Sequence, residues 1–288
     1  MGQSYNSAPM RLDSHQHFWS YSEREYDWID ERMSRIRRDF APSDLEPILR
    51  RNGFDGSVAV QVRQSLEETE YLLRLADEHD FIRGVVGFVD LRSPGARRDL
   101  ERLSEHTRFR GVRHVVQAEP DDRFLLRDDF LRGVALLRDL GLTYDILVYH
   151  RHLPAVIDFV ARFPEHRLIL DHMGKPAIAK AELEPWASSI RKLGKNENLY
   201  CKLSGLVTEA DWSGWKKADF ALYLEIVLES FGPRRLLFGS DWPVATLAAS
   251  YEKVVEIVED FLDPLSSAEK DAVFGGNAAD FYRLEVAP

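Results

Sequence analysis

Short apolar runs recur eight times along this chain of 288 residues, and most of them are followed by a stretch with helical periodicity. Some runs are apolar throughout, such as residues 58–60 (Val-Ala-Val) and 168–170 (Leu-Ile-Leu), which is typical of strands buried on both faces of a parallel sheet. Strands that alternate with helices indicate βαβ units, and eight such units close naturally into a barrel. The runs cover residues 10–15, 57–62, 84–90, 111–116, 144–148, 168–171, 199–203 and 236–239.

The pattern predicts one α/β domain over residues 1–288, a single (β/α)8 TIM barrel. The chain is slightly longer than the roughly 250 residues typical of this fold, and neither a linker nor a shift in composition marks a second domain. Residues 1–9 are expected to form a loose N-terminal tail. Residues 21–44 are too long for a simple turn after the first strand, so they are predicted to form a lid-like insertion over the active site. Helices are predicted at residues 66–76, 130–140, 153–163, 220–231, 248–261, 268–273 and 278–282.

Charge and composition exclude several classes of function. A formal net charge of −10 argues against a nucleic-acid partner, which would usually require a basic face. No apolar stretch is long enough to span a membrane. The single cysteine, Cys201, excludes an internal disulfide and fits a reducing compartment. Residues 1–9 lack the basic and apolar regions of a signal peptide, so a cytoplasmic location is expected.

Two histidines follow the first apolar run in the sequence Asp-Ser-His-Gln-His at residues 13–17. Side chains at i and i+2 of an extended segment project to the same side. At the mouth of a barrel, His15 and His17 would converge on one point, as a divalent metal or a polarised substrate requires. His172 and Asp241 also lie at the ends of apolar runs. The carboxyl ends of barrel strands are where catalytic groups are found, so these four residues form the candidate site.

The nine histidines of the chain fall into two groups. Three lie in polar helix ends or turns, and six lie at or just beyond predicted strand ends. Taken singly, each of the six is as well explained by a structural or solvated imidazole as by a functional one. The first group is His79, His106 and His166, and the second is His15, His17, His114, His150, His152 and His172.

Neutral imidazoles with one carboxylate are a common first shell for Zn²⁺, with one position left open for water. The ion would lower the pKa of that water to about 7. Asp241 would both bind the metal and take a proton from the water. The alternative for Asp241 is an ordinary N-cap of the following helix, and the alternative for Asp171 is a supporting or structural hydrogen bond.

Further polar and aromatic residues near the predicted strand ends are candidates for contact with substrate. Arg113 and His114 end the fourth strand, where a cationic or donor group would stabilise a developing oxyanion. A structural pairing of Arg113 with nearby acidic residues is an equally good explanation. The candidates for binding a polar, oxygen-rich ligand are Trp28, Gln61, Gln64, Gln117, Lys175 and Trp242.

Six motifs of the chain resemble the amidohydrolase superfamily, and more narrowly the amidohydrolase 2 group that contains sugar-lactone and pyrone-dicarboxylate lactonases. The resemblance runs in register from about residue 11 to residue 283. The Asp-His-x-Gly-Lys-Pro and Gly-Ser-Asp-Trp-Pro blocks are specific to the group, whereas His-x-His alone is not. The motifs lie at residues 13–19 (DSHQHFW), 26–28 (YDW), 110–114 (RGVRH), 170–176 (LDHMGKP), 202–205 (KLSG) and 238–243 (FGSDWP).

This resemblance implies a distorted (β/α)8 barrel that hydrolyses a lactone ring. It places His15, His17, His172 and Asp241 at the positions that hold metal in metal-dependent relatives, with Asp241 as general base. Residues 110–117 contain no lysine, whereas binuclear superfamily members carry a bridging carboxylated lysine in the fourth-strand region. The resemblance therefore implies one divalent metal, zinc first, or none, since some lactonases of the group work without metal.

In a metal-free reaction, Asp241 would deprotonate water directly while His15, His17, Arg113 or His114 polarises the carbonyl. The leading hypothesis is hydrolysis of an aldonolactone of the L-fucono-, L-rhamnono- or galactono- type. Metal-dependent decarboxylation, as in related barrels, is the alternative enzyme reaction. A barrel that binds sugars or acids without catalysis is a third. The expected partner is a small lactone or sugar acid, and the sequence is also compatible with a homo-oligomer.

Overall fold

The computed structural model describes residues 10–285, so the predicted tail at residues 1–9 lies outside the described part of the chain. Eight parallel strands form one sheet in which each strand pairs with the next along the chain. They are β1 (Leu12–Gln16), β2 (Gly56–Val60), β3 (Ile82–Gly87), β4 (Phe109–His114), β5 (Thr143–Ile146), β6 (Leu168–Leu170), β7 (Leu199–Leu203) and β8 (Leu236–Phe238).

The sheet closes into a barrel through backbone contacts between β1 and the chain after β8. The amide of Asp241 donates to the carbonyl of His15, and the amide of His17 donates to the carbonyl of Trp242, each at 2.8 Å. The predicted (β/α)8 barrel is confirmed. Several predicted strands end a few residues too late, because the apolar run continues into the loop that leaves the barrel rim.

Helices lie between successive strands, as the βαβ pattern predicts. Three of them, α1, α3 and α6, are absent from the predicted set. Helix α3 buries only Ala96, Leu100 and Leu103, and α6 is eight residues long, so each has only a short apolar stripe. The helices are α1 (Pro42–Arg51), α2 (Leu66–Glu78), α3 (Ala96–Ser104), α4 (Asp128–Asp139), α5 (Leu153–Arg162), α6 (Trp186–Leu193), α7 (Lys217–Phe231), α8 (Tyr251–Leu262), α9 (Ser267–Asp271) and α10 (Asn277–Phe281). Within residues 10–285, none of the helices combines the length and the apolar character that a membrane span requires.

The amino end of the barrel is filled by an apolar layer and closed by α10. Side chains from five strands pack there against Phe281, Tyr282 and Leu284. The guanidinium of Arg167, just before β6, donates to the carbonyls of Asp280 and Phe281. The C-terminal helix therefore plugs this end, and the polar interior lies toward the carboxyl ends of the strands. The strand residues of the layer are Leu12, Val58, Val60, Val86, Ile169 and Leu237.

The insertion at residues 21–44 packs at the carboxyl end of the barrel, and its last residues already belong to α1. It contains a short 3-10 helix, Glu31–Ile36. Phe40 packs edge-on against Trp242 after β8, with ring centroids 5.2 Å apart. The guanidinium of Arg63, after β2, lies 3.0 Å from the carboxylate of Glu25. The insertion is thus anchored on the loops that follow β2 and β8.

Candidate active site

A β-bulge in β1 turns the two histidines of the first motif into the barrel. Asp13 is opposite Ser57 of β2, but Gln16 is opposite Ala59, so β1 has one extra residue between these pairs. Leu12 faces the apolar layer inside the barrel, and the carboxylate of Asp13 meets the hydroxyl of Tyr251 in α8, at 3.2 Å. Strict alternation would therefore place His15 on the outer side with Asp13. The extra residue re-aims it inward, as bulges beside active sites often do.

Three imidazoles converge on one carboxylate oxygen at the barrel rim. The Oδ1 atom of Asp241 lies 3.3 Å from Nε2 of His17, 3.9 Å from Nε2 of His15 and 4.0 Å from Nε2 of His172. All four side chains are buried. The structure thus assembles all four residues that the sequence proposes as metal ligands.

Strained backbone is concentrated at this cluster. The φ angles of His172, Met173, Lys175 and Asp241 are 52°, 53°, 49° and 57°, in the left-handed region that residues other than glycine rarely adopt. Such strain persists where the surroundings over-determine the conformation, and it is found most often at functional sites. At Asp241 the support comes from Asp13, whose Oδ1 accepts a hydrogen bond of 2.9 Å from the amide of Ser240.

Gly205 shapes the floor beneath His172. Its φ of 65° lies in the left-handed region, and a Cβ at this position would lie 2.7 Å from Cγ of His172. The neighbouring Ser204 hydroxyl lies 2.8 Å from Nδ1 of His172. Only glycine permits the loop after β7 to approach the imidazole this closely.

Burial sets the charges of the cluster. Burial and the nearby Lys202 ammonium lower the pKa of His15 well below its ordinary value. Burial lowers the pKa of His172 to about 4. Burial alone would raise the pKa of Asp241, but the surrounding imidazoles outweigh it and hold the pKa well below its ordinary value. At neutral pH, His15 and His172 are therefore neutral and Asp241 is ionised.

The donor atoms fit a divalent metal. Nδ1 of His17 lies 2.7 Å from the carbonyl oxygen of Val60, which can only accept, so the proton of a neutral ring sits on Nδ1 and Nε2 presents its lone pair. The ligating atoms of His15, His17 and Asp241 lie within 4.8 Å of one another, and so do those of His15, Asp171 and His172. Imidazole nitrogens oriented by carbonyls, together with a carboxylate, are typical of a zinc site.

Below the cluster lies a buried ionic network in which the sequence predicts the pairing of Arg113 with an acidic residue but not the part of Lys202 and Asp145. Nζ of Lys202 lies 2.6 Å from Oδ2 of Asp145 and 2.9 Å from Oδ1 of Asp171. The guanidinium of Arg113 lies 3.1 Å from the other oxygen of Asp171. The available signal was a charged residue inside a short apolar strand, since such a residue needs a buried partner. The sequence gives no indication of which residue that partner is.

Arg113 and His114 face opposite sides of β4, and only one of them reaches the cluster. NH1 of Arg113 lies 3.2 Å from Nε2 of His15, inside the barrel. His114 instead stacks on Phe124, with centroids 4.6 Å apart, and its Nε2 lies 2.6 Å from the carboxylate of Glu119. His114 therefore lies outside the cluster, because successive side chains of a strand alternate between its faces.

The predicted substrate-binding residues are dispersed. Gln61 is buried beside the cluster, where its Nε2 donates to the carbonyl of Arg113 at 3.1 Å. Trp242 is 3% exposed and packs against Phe40 of the insertion. Nζ of Lys175 lies 3.4 Å from the carboxylate of Glu209.

The remaining candidates do not join the cluster. Trp28, in the insertion, is 40% exposed. Gln64 accepts a hydrogen bond of 3.0 Å from the amide of Val115, and the amide of Gln117 donates to the carbonyl of Leu147. His150 and His152 also lie elsewhere, with ring contacts to the carbonyls of Lys175 and Tyr149 respectively.

Comparison with known proteins finds lactonases among the relatives of this chain. The chain is 44% identical over 288 residues to the L-fucono-1,5-lactonase of Burkholderia multivorans (strain ATCC 17616 / 249), with 96% of each chain covered. It is 39% identical over 287 residues to the L-fucono-1,5-lactonase of Burkholderia ambifaria, also with 96% of each covered.

A solved structure and a family model also match this chain. The fold matches the crystal structure of an amidohydrolase from Burkholderia multivorans with bound zinc. The TM-score is 0.92 and the identity 45%, and the match covers 96% of this chain and 100% of that chain. A family model described as amidohydrolase matches residues 12–284. The chain therefore belongs to the amidohydrolase family.

Proposed function

We propose that this protein is a lactonase that opens the ring ester of a sugar-derived lactone, with L-fucono-1,5-lactone as the first candidate substrate. The observation that supports this most directly is the ionised carboxylate of Asp241 among the Nε2 atoms of three imidazoles. The relatives named L-fucono-1,5-lactonases match nearly the whole chain and support the choice of substrate. L-Rhamnono- and galactono-lactones are the next candidates to test.

Asp241 is the general base in this proposal. Its carboxylate is ionised across the neutral range, so it is ready to accept a proton as a water molecule attacks the carbonyl carbon. Burial within the barrel fixes its position, and the left-handed φ of 57° directs the side chain toward the imidazoles. The proton then passes to the ring oxygen as the ester bond breaks, which yields a hydroxy acid.

Arg113 supplies positive charge where the oxyanion forms. Its guanidinium is buried, and NH1 lies 3.2 Å from Nε2 of His15 and 3.1 Å from Oδ2 of Asp171. A cationic donor held in place before the reaction stabilises negative charge without further reorganisation. The same guanidinium favours the acid product and any carboxyl or hydroxyl group next to the carbonyl.

His15, His17, His172 and Asp241 would hold one divalent metal, and we propose zinc. When bound, the ion supplies Lewis acidity at the carbonyl. The proposal has two sources of support: the donor set of the cluster and the zinc in the related amidohydrolase structure.

The test is a panel of L-fucono-, L-rhamnono- and galactono-lactones, with acid release followed by a pH indicator and the spontaneous rate subtracted. We expect fastest turnover with L-fucono-1,5-lactone. Release of CO₂ from an aromatic or unsaturated acid without lactone hydrolysis would instead indicate a decarboxylase. Lactone binding measured by calorimetry without acid release would indicate a non-catalytic binder. Either result would contradict the proposal.

A further inference from the structure

Lys202 is fully buried in β7, and its ammonium group has three polar partners. Nζ lies 2.6 Å from Oδ2 of Asp145, 2.9 Å from Oδ1 of Asp171 and 3.0 Å from Nδ1 of His15. An ammonium has three donors and no acceptor. The ammonium is therefore held among these three partners and does not reach solvent.

These acceptors lie on or at the ends of three other strands. Asp145 belongs to β5, Asp171 follows β6, and His15 belongs to β1. Replacing a buried ion pair by well-packed apolar side chains is often neutral or stabilising. Stability alone is therefore a weak reason for a lysine at this position, whereas the contact with His15 gives it a role in the reaction.

The His15 ring is clamped from both sides. Nδ1 faces Lys202, and Nε2 lies 3.2 Å from NH1 of Arg113 and 3.9 Å from Oδ1 of Asp241. Asp171 joins the two cations, since one of its oxygens faces Lys202 and the other faces Arg113. A shift of the ammonium would therefore move both the imidazole and the guanidinium.

We propose that Lys202 is a positioning residue for lactone hydrolysis, which holds the imidazole of His15 directly and the guanidinium of Arg113 through Asp171. The inference rests on the proposed function. Lys202 lies behind His15, so it acts on the reaction only through these two side chains.

The contacts that hold Lys202 extend to the C-terminal helix. The hydroxyl of Tyr282, just after α10, donates to Oδ2 of Asp145 at 2.7 Å, and Lys202 donates to the same oxygen. A continuous line of contacts runs from Tyr282 through Asp145 and Lys202 to His15. The plug at the amino end of the barrel is therefore coupled to the site at the other end.

The first test removes the ammonium. Lys202→Met leaves two buried carboxylates with one cation fewer, so the double variant Lys202→Met/Asp145→Asn, which preserves the charge balance, is measured beside it. We expect kcat to fall about 10- to 100-fold, the range typical when a supporting residue is lost, while KM changes less than about threefold. In zinc-free protein with ¹⁵N-labelled histidine, we also expect the ring nitrogen resonances of His15 to shift.

Two results would overturn the inference. One is a folded double variant with the kcat of the natural protein. The other is a fall in kcat while the His15 resonances stay in place, since Lys202 would then act by another route. If the natural protein hydrolyses no lactone, the proposed function fails, but the resonances still report whether Lys202 positions the ring.

The second test is a substitution at the far end of this line of contacts. Tyr282→Phe removes one hydroxyl and keeps the ring, and we expect kcat to fall roughly threefold to tenfold, the scale of one hydrogen bond. Tyr200→Phe is the matched control, because Tyr200 packs on Phe281 with centroids 4.8 Å apart and lies outside the network. Equal effects of the two substitutions on kcat would show that the contacts from Tyr282 to His15 do not influence the reaction.

Discussion

The Oδ1 atom of Asp241 lies 3.3 Å from the Nε2 atom of His17. The other nitrogen of that ring faces the carbonyl of Val60 at 2.7 Å, so a neutral form of the ring carries its proton there. The carboxylate oxygen and Nε2 are then both acceptors, facing each other inside a buried cluster. Two acceptors at this separation are suited to share a cation or the hydrogens of a water molecule. This pair therefore lies at the centre of the proposed reaction.

Replacing Asp241 by Asn tests the general base directly. We expect kcat for lactone hydrolysis to fall about 10²- to 10⁴-fold, because the amide accepts no proton from water. Steady-state kinetics measure the change, and circular dichroism with the thermal midpoint shows that the barrel remains folded. Asp263→Asn, at an exposed carboxylate paired with Lys270, is the control. Turnover of Asp241→Asn close to that of the natural protein would contradict the assignment.

His17→Gln tests the metal site. We expect the zinc affinity, measured by competition with a chromogenic chelator, to fall at least about tenfold, because the ring oriented by Val60 is lost. Chelation followed by addition of zinc is expected to remove and restore lactone hydrolysis. His106→Gln is the matched substitution, since this imidazole lies near Asp77 and away from the cluster. Full activity in protein that holds less than about 0.1 zinc ion per chain would show that the reaction proceeds without the metal.

His114→Gln tests the predicted catalytic role of that residue. We expect kcat to stay within about threefold, because the ring lies outside the cluster, and the free energy of unfolding to fall by about 1–3 kcal/mol. The loss would come from the stacking on Phe124 and the contact with Glu119. Chemical denaturation and steady-state kinetics on the same preparation separate the two effects. A hundredfold loss of kcat without loss of stability would support a catalytic role.

Much of the site could be predicted because the carboxyl ends of parallel strands meet at one rim of a barrel. The His15–His17 pair, His172 and Asp241 are far apart in sequence, yet each lies at such an end. His114 shows what the approach does not resolve. It is adjacent to Arg113, and a difference of one residue along a strand decides whether a side chain faces the barrel interior or the surrounding helices.

Lys202 and Asp145 could not be paired from the sequence, because the two residues are 57 positions apart and lie on different strands. Periodicity identifies a strand but does not give the height at which two side chains meet inside the barrel. The bulge in β1 adds a second difficulty, since one extra residue exchanges the inner and outer faces. These features depend on the register between strands, which the composition of a single strand does not encode.

Glu68 makes the stability of the protein depend on pH. Burial raises its pKa from the ordinary value of 4.5 to about 7, against the opposing effect of hydrogen bonds from the amides of Val62 and Arg63. The folded protein therefore binds this proton more tightly than the unfolded chain. The contribution to stability is complete below pH 4.5 and is lost as the pH rises to about 7.

Glu68→Gln is expected to remove this dependence, because its amide oxygen still accepts from both backbone amides. Relative to the variant, the natural protein should lose on the order of 3 kcal/mol of unfolding free energy between pH 4.5 and 7. Urea denaturation across this range measures the difference. Glu78→Gln, at an exposed position of the same helix, is the control. Parallel curves for the natural protein and Glu68→Gln would show that Glu68 titrates normally.

Gly205→Ala tests whether the close approach beneath His172 matters for the reaction. The substitution adds a Cβ 2.7 Å from Cγ of His172, so the imidazole has to move. Gly53→Ala is a matched control, because Gly53 has a similar φ of 70° but no atom within 4 Å of the added Cβ. Both variants should lose about 1 kcal/mol of stability through backbone strain. Only Gly205→Ala should also lose kcat, by about 10²-fold for a displacement near 1 Å. Equal kcat values for the two variants would show that the position of the His172 ring does not limit the reaction.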